Sequence, residues 1–199
     1  MKKITYCLLC SLISALALIS CNKSNDLIGS WQSIKPTELS KYLPSSASSQ
    51  AITNVTFSND GNVLISSVIN VTQPVIENPG VEAGYEVSVA ATSSIEGAWS
   101  YVNGDDDDIE IIFDRNSFNV DVDPTGVTFR QNIVTDAQDP VTDSLTVATV
   151  NLWKHHLSEI MLKEYNRYSR LDDVKVENKT KLKLEIENPE EDVYFRKVQ

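Results

Sequence analysis

The chain has 199 residues and carries 28 acidic and 17 basic side chains, which gives a formal net charge of −11 at pH 7. This length suits one domain, or one domain with insertions. The acidic balance argues against nucleic-acid binding, since contacts to phosphates need a basic surface, and against charge-driven binding to anionic lipid. We therefore expect a single domain that binds no nucleic acid.

The first 21 residues have the features of a bacterial export signal. Lys2 and Lys3 precede an apolar run over 6–19, which is shorter than the roughly 20 apolar residues of a membrane-spanning helix. The sequence Leu-Ile-Ser-Cys at 18–21 resembles the lipobox of bacterial lipoproteins. The resemblance implies cleavage before Cys21, diacylglycerol on its sulfur and acylation of the new amino terminus. The alternative is an ordinary secretory signal with an incidental cysteine.

The resulting organisation is a signal peptide at 1–20, a lipidated tether at 21–26 and one domain at 27–199. Removal of the first 20 residues leaves 179 and takes away Lys2 and Lys3, so that 15 basic residues face 28 acidic ones and the net charge is near −13. Two of the three cysteines leave with the signal and the third is acylated. No thiol then remains for a disulfide, a metal or a nucleophile, and the core must hold by burial alone.

The first half of the domain has the two-residue alternation of β-strands. Residues 29–34 predict a first strand with Trp31 on one face, and 36–39 predict one helical turn, followed by a serine-rich loop. Residues 52–67 predict a hairpin around Asn59-Asp60-Gly61, a sequence that supplies the positive φ angles of a tight turn. Residues 68–91 predict an extension of this hairpin.

The second half contains further strands and one helix. Separate strands are predicted at 97–101, 109–114, 117–123 and 127–134. Apolar residues at three- and four-residue spacing over 141–170 predict an amphipathic helix that begins near Asp143 or Ser144. A hairpin around Asn178-Lys179 and a terminal strand at 191–198 follow. Short antiparallel strands separated by turns are typical of a barrel or a sandwich.

The ordered set "LIGSWQS", "NVTFSNDGNV", "GAWSYVNGDDDDIEI", "TKLKLEIE" and "DVYFRKV" resembles the lipocalin-like domains of bacterial lipoproteins. This resemblance covers most of 27–123 and 172–198. It implies a mainly β fold, an antiparallel up-and-down lipocalin-like barrel of about 8–10 strands with one long amphipathic helix inserted before the last strands. The insertions at 68–91 and 140–170 depart from the family pattern, so a sandwich or a half-open barrel stays open.

The resemblance also gives the tryptophans a role. In such folds the Trp of the first strand closes one end of the barrel, and a basic side chain of the last strand packs over it. Trp31, Trp99 and Arg196 are the expected barrel-closing residues, with Lys197 as the second candidate for the cation over Trp31. The alternative is that Trp31 and Trp99 contact a ligand.

Few residues indicate chemistry. His155 and His156 are adjacent on the predicted helix and diverge by about 100°, so they cannot chelate one ion as an i, i+4 pair would. The four aspartates at 105–108, with Asp114, Asp121 and Asp123, are the candidates for a hard cation, although a solvated hairpin tip is the simpler interpretation. We expect no catalytic residues, no metal and no cofactor.

Two functions are therefore expected as alternatives. The first is a membrane-anchored envelope lipoprotein whose barrel binds an apolar or amphipathic small molecule, at residues that the sequence does not identify. The second is a non-enzymatic interaction or scaffold lipoprotein that docks on another envelope protein through the 68–91 extension or the 141–170 helix. In both, the lipid on Cys21 holds the chain to a membrane of the bacterial envelope, expected to be the outer membrane, with the periplasmic and surface faces both open.

Overall fold

The computed structural model describes residues 26–43, 47–76, 85–102, 107–131, 143–187 and 189–198. The predicted signal peptide, Cys21 and the aspartates 105 and 106 lie outside these residues. The strands are β1 Gly29–Ser33, β2 Thr37–Glu38, β3 Ser48–Phe57, β4 Asn62–Ile76, β5 Tyr85–Tyr101, β6 Ile109–Gln131, β7 Arg170–Glu177, β8 Lys181–Glu187 and β9 Glu190–Lys197, and helix α1 is Asp143–Asn166.

The nine strands form one antiparallel sheet that closes in a ring. Each strand from β3 to β8 pairs with the next in sequence, and β1 closes the ring by pairing with both β3 and β9. Strand β2 pairs with β3 at Thr37 and Glu38, further along the edge that β1 occupies, so β1 and β2 act as one interrupted strand. The prediction of a mainly β, antiparallel, barrel-like sheet with one inserted helix is confirmed.

The ladder of paired residues between β6 and β7 is short. The paired residues there are Ile109 with Leu171 and Glu110 with Arg170, and the N–H of Val174 donates to the carbonyl of Asp107 at 2.8 Å. By contrast, β5 and β6 pair along almost their whole length. Helix α1 lies between β6 and β7 in sequence and packs mainly on β6. The sequence did not decide whether the barrel closes. In the structure it does close, and the β6–β7 part of the ring depends on a short ladder of paired residues.

Two predictions about the first half are wrong in detail. The helical turn expected over 36–39 starts later, as a 3-10 turn at Ser40–Tyr42, because Thr37 and Glu38 pair with β3. Part of the serine-rich segment expected to be a loop is strand, since β3 begins at Ser48 and pairs with Thr72 of β4. The described parts of 68–91 continue β4 and β5, and the tip at 77–84 lies outside the described residues.

The three strands expected between 109 and 134 are one long strand, β6, as far as residue 131. The register with β5 shifts at two places, between Val89 and Ala91 and between Ser94 and Glu96. At each shift β6 accommodates additional residues, among them Pro124, without leaving the sheet. These bulges explain the mistake, because a bulge interrupts the two-residue alternation in the same way as a turn.

The core lies on the inner face of the ring. Odd-numbered residues of β3, β4 and β5 point inward, as the two-residue period requires, and they join residues from the other strands in one buried cluster. Helix α1 packs on this inner face through Trp153, Leu157, Met161 and Tyr165. The interior next to the helix is therefore filled by side chains. Among the described residues, no helix is long and apolar enough to cross a membrane.

Candidate binding site

Trp31 is buried in the core near the start of β1, and the cation over its ring is Lys197. The Trp31 side chain is fully buried and its Nε1 donates to the carbonyl of Leu27 at 2.8 Å. The Nζ of Lys197 lies 5.0 Å from the Trp31 ring centroid. This distance lies within the range of a cation–π contact.

The first choice for this cation, Arg196, is corrected by the register. Trp31 of β1 pairs with Lys197 of β9, whereas Arg196 pairs with Gln32. Directly opposite residues share a face of the sheet, so Arg196 lies on the outer face. There its Nη2 donates to Oε1 of Gln32 at 2.6 Å.

Trp99 lies at the same end of the barrel as Trp31. Its ring makes edge-to-face contacts with Phe57 and Tyr101, at centroid distances of 5.5 and 5.7 Å. The Trp99 Nε1 is buried and has no hydrogen-bond partner among the described residues. The structure thus brings both tryptophans to one end, where they pack with core side chains.

The remaining candidate residues of the sequence are dispersed. Asp121 and Asp123 lie exposed on the outer side of β6, and hydrogen bonds from Thr125 lower the pKa of Asp123. His155 is 72% exposed on α1, with its Nε2 3.7 Å from Glu159. No group of three or more metal-ligating side chains occurs in the part of the chain that the structure describes.

Hydroxyl groups line the inner face where α1 packs. The Tyr165 hydroxyl lies 2.5 Å from the Ser93 hydroxyl, and Thr53 and Ser67 hydroxyls are 3.0 Å apart. Burial raises the pKa of Tyr165, and hydrogen bonds to Ser67 and Ser93 oppose part of this shift. These polar groups fix the rotation of the helix over the sheet, because each buried hydroxyl needs its partner.

A buried carboxylate joins the end of α1 to the segment after β2. Glu164 is 2% exposed, and it accepts hydrogen bonds from Tyr42 at 3.3 Å and from Nη1 of Arg167 at 2.6 Å. The other terminal nitrogen of Arg167 binds Glu191 of β9. Burial opposes the charge of Arg167, but the hydrogen bonds and charges of the two glutamates outweigh it, so its pKa is raised.

Beside this ion network, a cleft of about 600 Å³ opens in the barrel wall. It lies beside the connection between β1 and β2, where the strand is interrupted, and next to the start of β9. Its apolar lining comes from Ile34, Pro36, Val193 and Tyr194. The N–H of Ile34 donates to the carbonyl of Tyr194 at 2.8 Å, which holds the two walls together. The charged lining is mixed, with the basic side chains of Lys35, Lys41, Arg167 and Lys181 and the carboxylates of Glu38, Glu164, Glu191 and Asp192. The cleft therefore offers an apolar surface together with lysines that can contact an acidic group.

A smaller cleft of about 370 Å³ lies at the opposite end. It follows the thin seam between β6 and β7, with Leu27 and Tyr101 on its apolar side and Asp26, Asp107 and Asp173 at its edge. Among the described residues, Lys175 is its one basic lining residue, whereas four basic side chains line the larger cleft. By volume and by its basic side chains, the larger cleft is the stronger candidate for a small-molecule site.

The sequence did not identify the residues of the larger cleft. One signal was present: Glu164 falls three residues after Met161 and four after Ile160, on the apolar face of the predicted helix. A carboxylate on a buried stripe requires a buried partner. The lysines at 35 and 41 and the aromatic ring of Tyr194 gave no comparable signal, because isolated surface residues of these types are common.

Comparison with known proteins finds no matching protein family and no matching curated protein. The function must therefore be argued from the site itself.

Proposed function

We propose that this chain is a non-enzymatic, lipid-anchored binding protein of the bacterial envelope, and that its site is the wall cleft of about 600 Å³. The ligand is an amphipathic small molecule with an acidic group. This keeps the ligand class expected from the sequence and moves the site from the barrel interior to its wall.

The cleft carries the proposal. Its volume falls within the roughly 300–1,000 Å³ of small-molecule sites. Side chains such as Val55, Ile65 and Ile95 are fully buried in one core cluster, so they occupy the barrel interior around them. Lys35 and Lys41 supply positive charge beside the apolar lining. The Nζ of Lys41 lies 3.7 Å from Oε2 of Glu164, and the Lys41 side chain is 47% exposed and can also reach a ligand.

The anchoring part of the proposal rests on the lipobox-like sequence at 18–21. Two or more acyl chains hold a protein stably on a membrane, whereas one chain binds marginally. Mass spectrometry of the chain expressed in bacteria should show a mature protein that begins at a diacylglyceryl-modified Cys21. An unmodified Cys21 would contradict the anchor and leave the cleft proposal standing.

The cleft is tested with 1-anilinonaphthalene-8-sulfonate, an amphipathic anion whose fluorescence rises in an apolar site. We expect saturable binding that the double variant Lys35→Ala/Lys41→Ala weakens by at least about tenfold, because two charges near the acid are lost. The matched control Lys154→Ala/Lys163→Ala removes two exposed lysines of α1 and should leave binding unchanged. Tetradecanoate should displace the probe more strongly than tetradecanol. Equal binding by both double variants would contradict the proposal.

The docking function stays as a second proposal. Helix α1 carries Val147 and Leu152 exposed, at 58% and 48%. Most of its large apolar side chains are buried, including Trp153 and Leu157, which leaves a small exposed apolar area. If the second function holds, Val147→Glu/Leu152→Glu should abolish copurification of one defined envelope protein, while probe binding in the cleft is kept.

A further inference from the structure

The larger cleft has a buried floor and an exposed rim. Glu164, Arg167 and Tyr168 line the cleft although their side chains are at least nine-tenths buried, and we call these three residues the floor. Tyr168 is the most enclosed of them, at 1% exposed. Lys35 and Lys41 line the same cleft and are exposed, and we call these two residues the rim. The floor and the rim can therefore contact different parts of one ligand.

The floor contains two donor groups that have no partner. The Tyr168 hydroxyl makes no hydrogen bond with any residue that the structure describes, and the buried Nε of Arg167 also lacks a partner there. The nearby buried Tyr165 differs, because its hydroxyl lies 2.5 Å from that of Ser93. Buried polar groups are nearly always hydrogen-bonded, so an exception requires an explanation. Since Tyr168 lines a cleft of ligand size, a group of the ligand can supply the missing acceptor.

The charged groups of the floor, by contrast, are paired within the protein. Arg167 lies between Glu164 and Glu191, and the Nζ of Lys41 is 3.7 Å from Glu164. Lys35, at the rim, forms no ion pair with any residue that the structure describes. The acid of a ligand is therefore attracted to the rim, where the charge of Lys35 is available to it.

The surroundings of the Tyr168 hydroxyl favour an uncharged acceptor. Burial raises the pKa of Tyr168, the negative charges of Glu164 and Glu191 raise it further, and Arg167 opposes part of the shift. Tyr168 therefore keeps its proton and can donate it. The two carboxylates would repel a carboxylate of the ligand at this position. A carbonyl oxygen carries no net charge and only accepts, which is what an unpartnered donor requires.

We propose that Tyr168 donates a hydrogen bond to a carbonyl oxygen of the ligand, so that the ligand is an acyl chain with both a carboxylate and a carbonyl group within the chain. This inference rests on the proposed function of the cleft and narrows its ligand class. The acid contacts Lys35 and Lys41 at the rim, the carbonyl meets Tyr168, and the chain packs on the apolar lining that includes Ile34 and Val193. A simple fatty acid would leave the Tyr168 hydroxyl unpaired, so Tyr168 makes the site selective.

The test measures displacement of 1-anilinonaphthalene-8-sulfonate from the full chain by tetradecanoate and by 4-oxo-, 7-oxo- and 10-oxotetradecanoate. Each oxo acid replaces one methylene of the same chain by a carbonyl. The selectivity ratio is the Kd of tetradecanoate divided by the Kd of the oxo acid. We expect Tyr168→Phe to lower this ratio by at least about threefold for one carbonyl position, because only the wild-type hydroxyl can donate. The other positions should respond less, since the rim fixes the acid and therefore the reach of the chain to the floor.

Tyr194→Phe is the matched control. Tyr194 also lines the cleft, but its hydroxyl already donates to Asp192 at 3.2 Å, so its removal should leave the selectivity ratios unchanged. Thermal unfolding without ligand separates a binding role of Tyr168 from a structural one. Because the Tyr168 hydroxyl has no partner among the described residues, Tyr168→Phe should keep or raise the Tm. A Tm lowered by more than about 3 °C would overturn the inference, since the hydroxyl would then be bonded within the chain.

The result also separates this inference from the proposed function. If the acids displace the probe and Tyr168→Phe leaves every selectivity ratio unchanged, the inference is overturned and the proposed function stands. If none of the acids displaces the probe from the wild-type chain, the proposed function fails and the inference fails with it. A ratio that Tyr194→Phe lowers as much as Tyr168→Phe would overturn the inference as well, because the effect would not belong to the unpartnered hydroxyl.

Discussion

Two regions of the barrel are held together in different ways. At one end, the apolar end, Trp31 and Trp99 pack among residues of neighbouring strands, with Lys197 over the first ring. The region where α1 packs on the inner face, which we call the polar end, is held by polar groups, including the Tyr165–Ser93 contact and the buried Glu164. Apolar closure needs shape and area, whereas polar closure needs every partner in place. The two ends should therefore respond differently to substitution and to pH.

The largest expected effect is at the apolar end. Trp31→Ala removes a fully buried indole and leaves a cavity, so the free energy of unfolding should fall by about 3–5 kcal/mol. Chemical denaturation followed by circular dichroism measures this change. Leu152→Ala, which removes a side chain that is 48% exposed on α1, is the control and should change stability by less than about 0.5 kcal/mol. An effect of Trp31→Ala below about 1 kcal/mol would mean that Trp31 does not close the end.

The sequence predicted Trp31 on the inner face of a first strand, and there is a physical reason for this. Trp31 lies in a strand with regular alternation, and the partners of such a residue follow once the strand order is known. The barrel-like sheet, the hairpins and the helix could all be read from period and turn residues. The choice between Arg196 and Lys197 could not, because it depends on a register between β1 and β9 that only the closed ring determines.

The polar end and the cleft were beyond sequence reasoning because their contacts join distant segments. Tyr165 meets Ser93 across 72 residues, and Tyr42 meets Glu164 across 122. The pattern of α1 showed which side chains are apolar, but it did not show which strand they would meet. Arg167 illustrates the consequence, because the structure places it between Glu164 of α1 and Glu191 of β9, which is 24 residues further along the chain.

The second prediction uses pH to separate the two ends. The pKa of the buried Tyr165 is raised above its ordinary value of 10.0, so the unfolded chain loses this proton first as pH rises. The stability that Tyr165 contributes is complete below pH 10 and is lost above it, with a slope of up to about 1.4 kcal/mol per pH unit. Tyr165→Phe should reduce this slope and, at pH 7, cost about 1 kcal/mol through the lost hydrogen bond.

Denaturation series between neutral pH and the alkaline range measure the slope. Tyr168 and Lys183 also have raised pKa values, so part of the alkaline loss remains in the variant. The control is Tyr194→Phe, since Tyr194 is exposed and its hydroxyl donates to Asp192 at 3.2 Å on the surface. This control should keep the full slope. If Tyr165→Phe also keeps the full slope, the Tyr165 hydroxyl is not buried between α1 and the sheet.

The smallest expected effect is that of removing the charge of Lys197, the cation over Trp31 at the apolar end. Lys197→Met keeps the aliphatic part of the side chain and removes the ammonium group, so it should destabilise the chain by about 0.5–1 kcal/mol. Arg196→Met removes the outer-face contact to Gln32, which is an exposed hydrogen bond and should contribute less. Tryptophan fluorescence should shift in Lys197→Met and stay unchanged in Arg196→Met, since only Lys197 lies over the indole ring. The reverse order would mean that β9 is displaced by one residue against β1, and the alternation would then place Phe195 outside the core that it now fills.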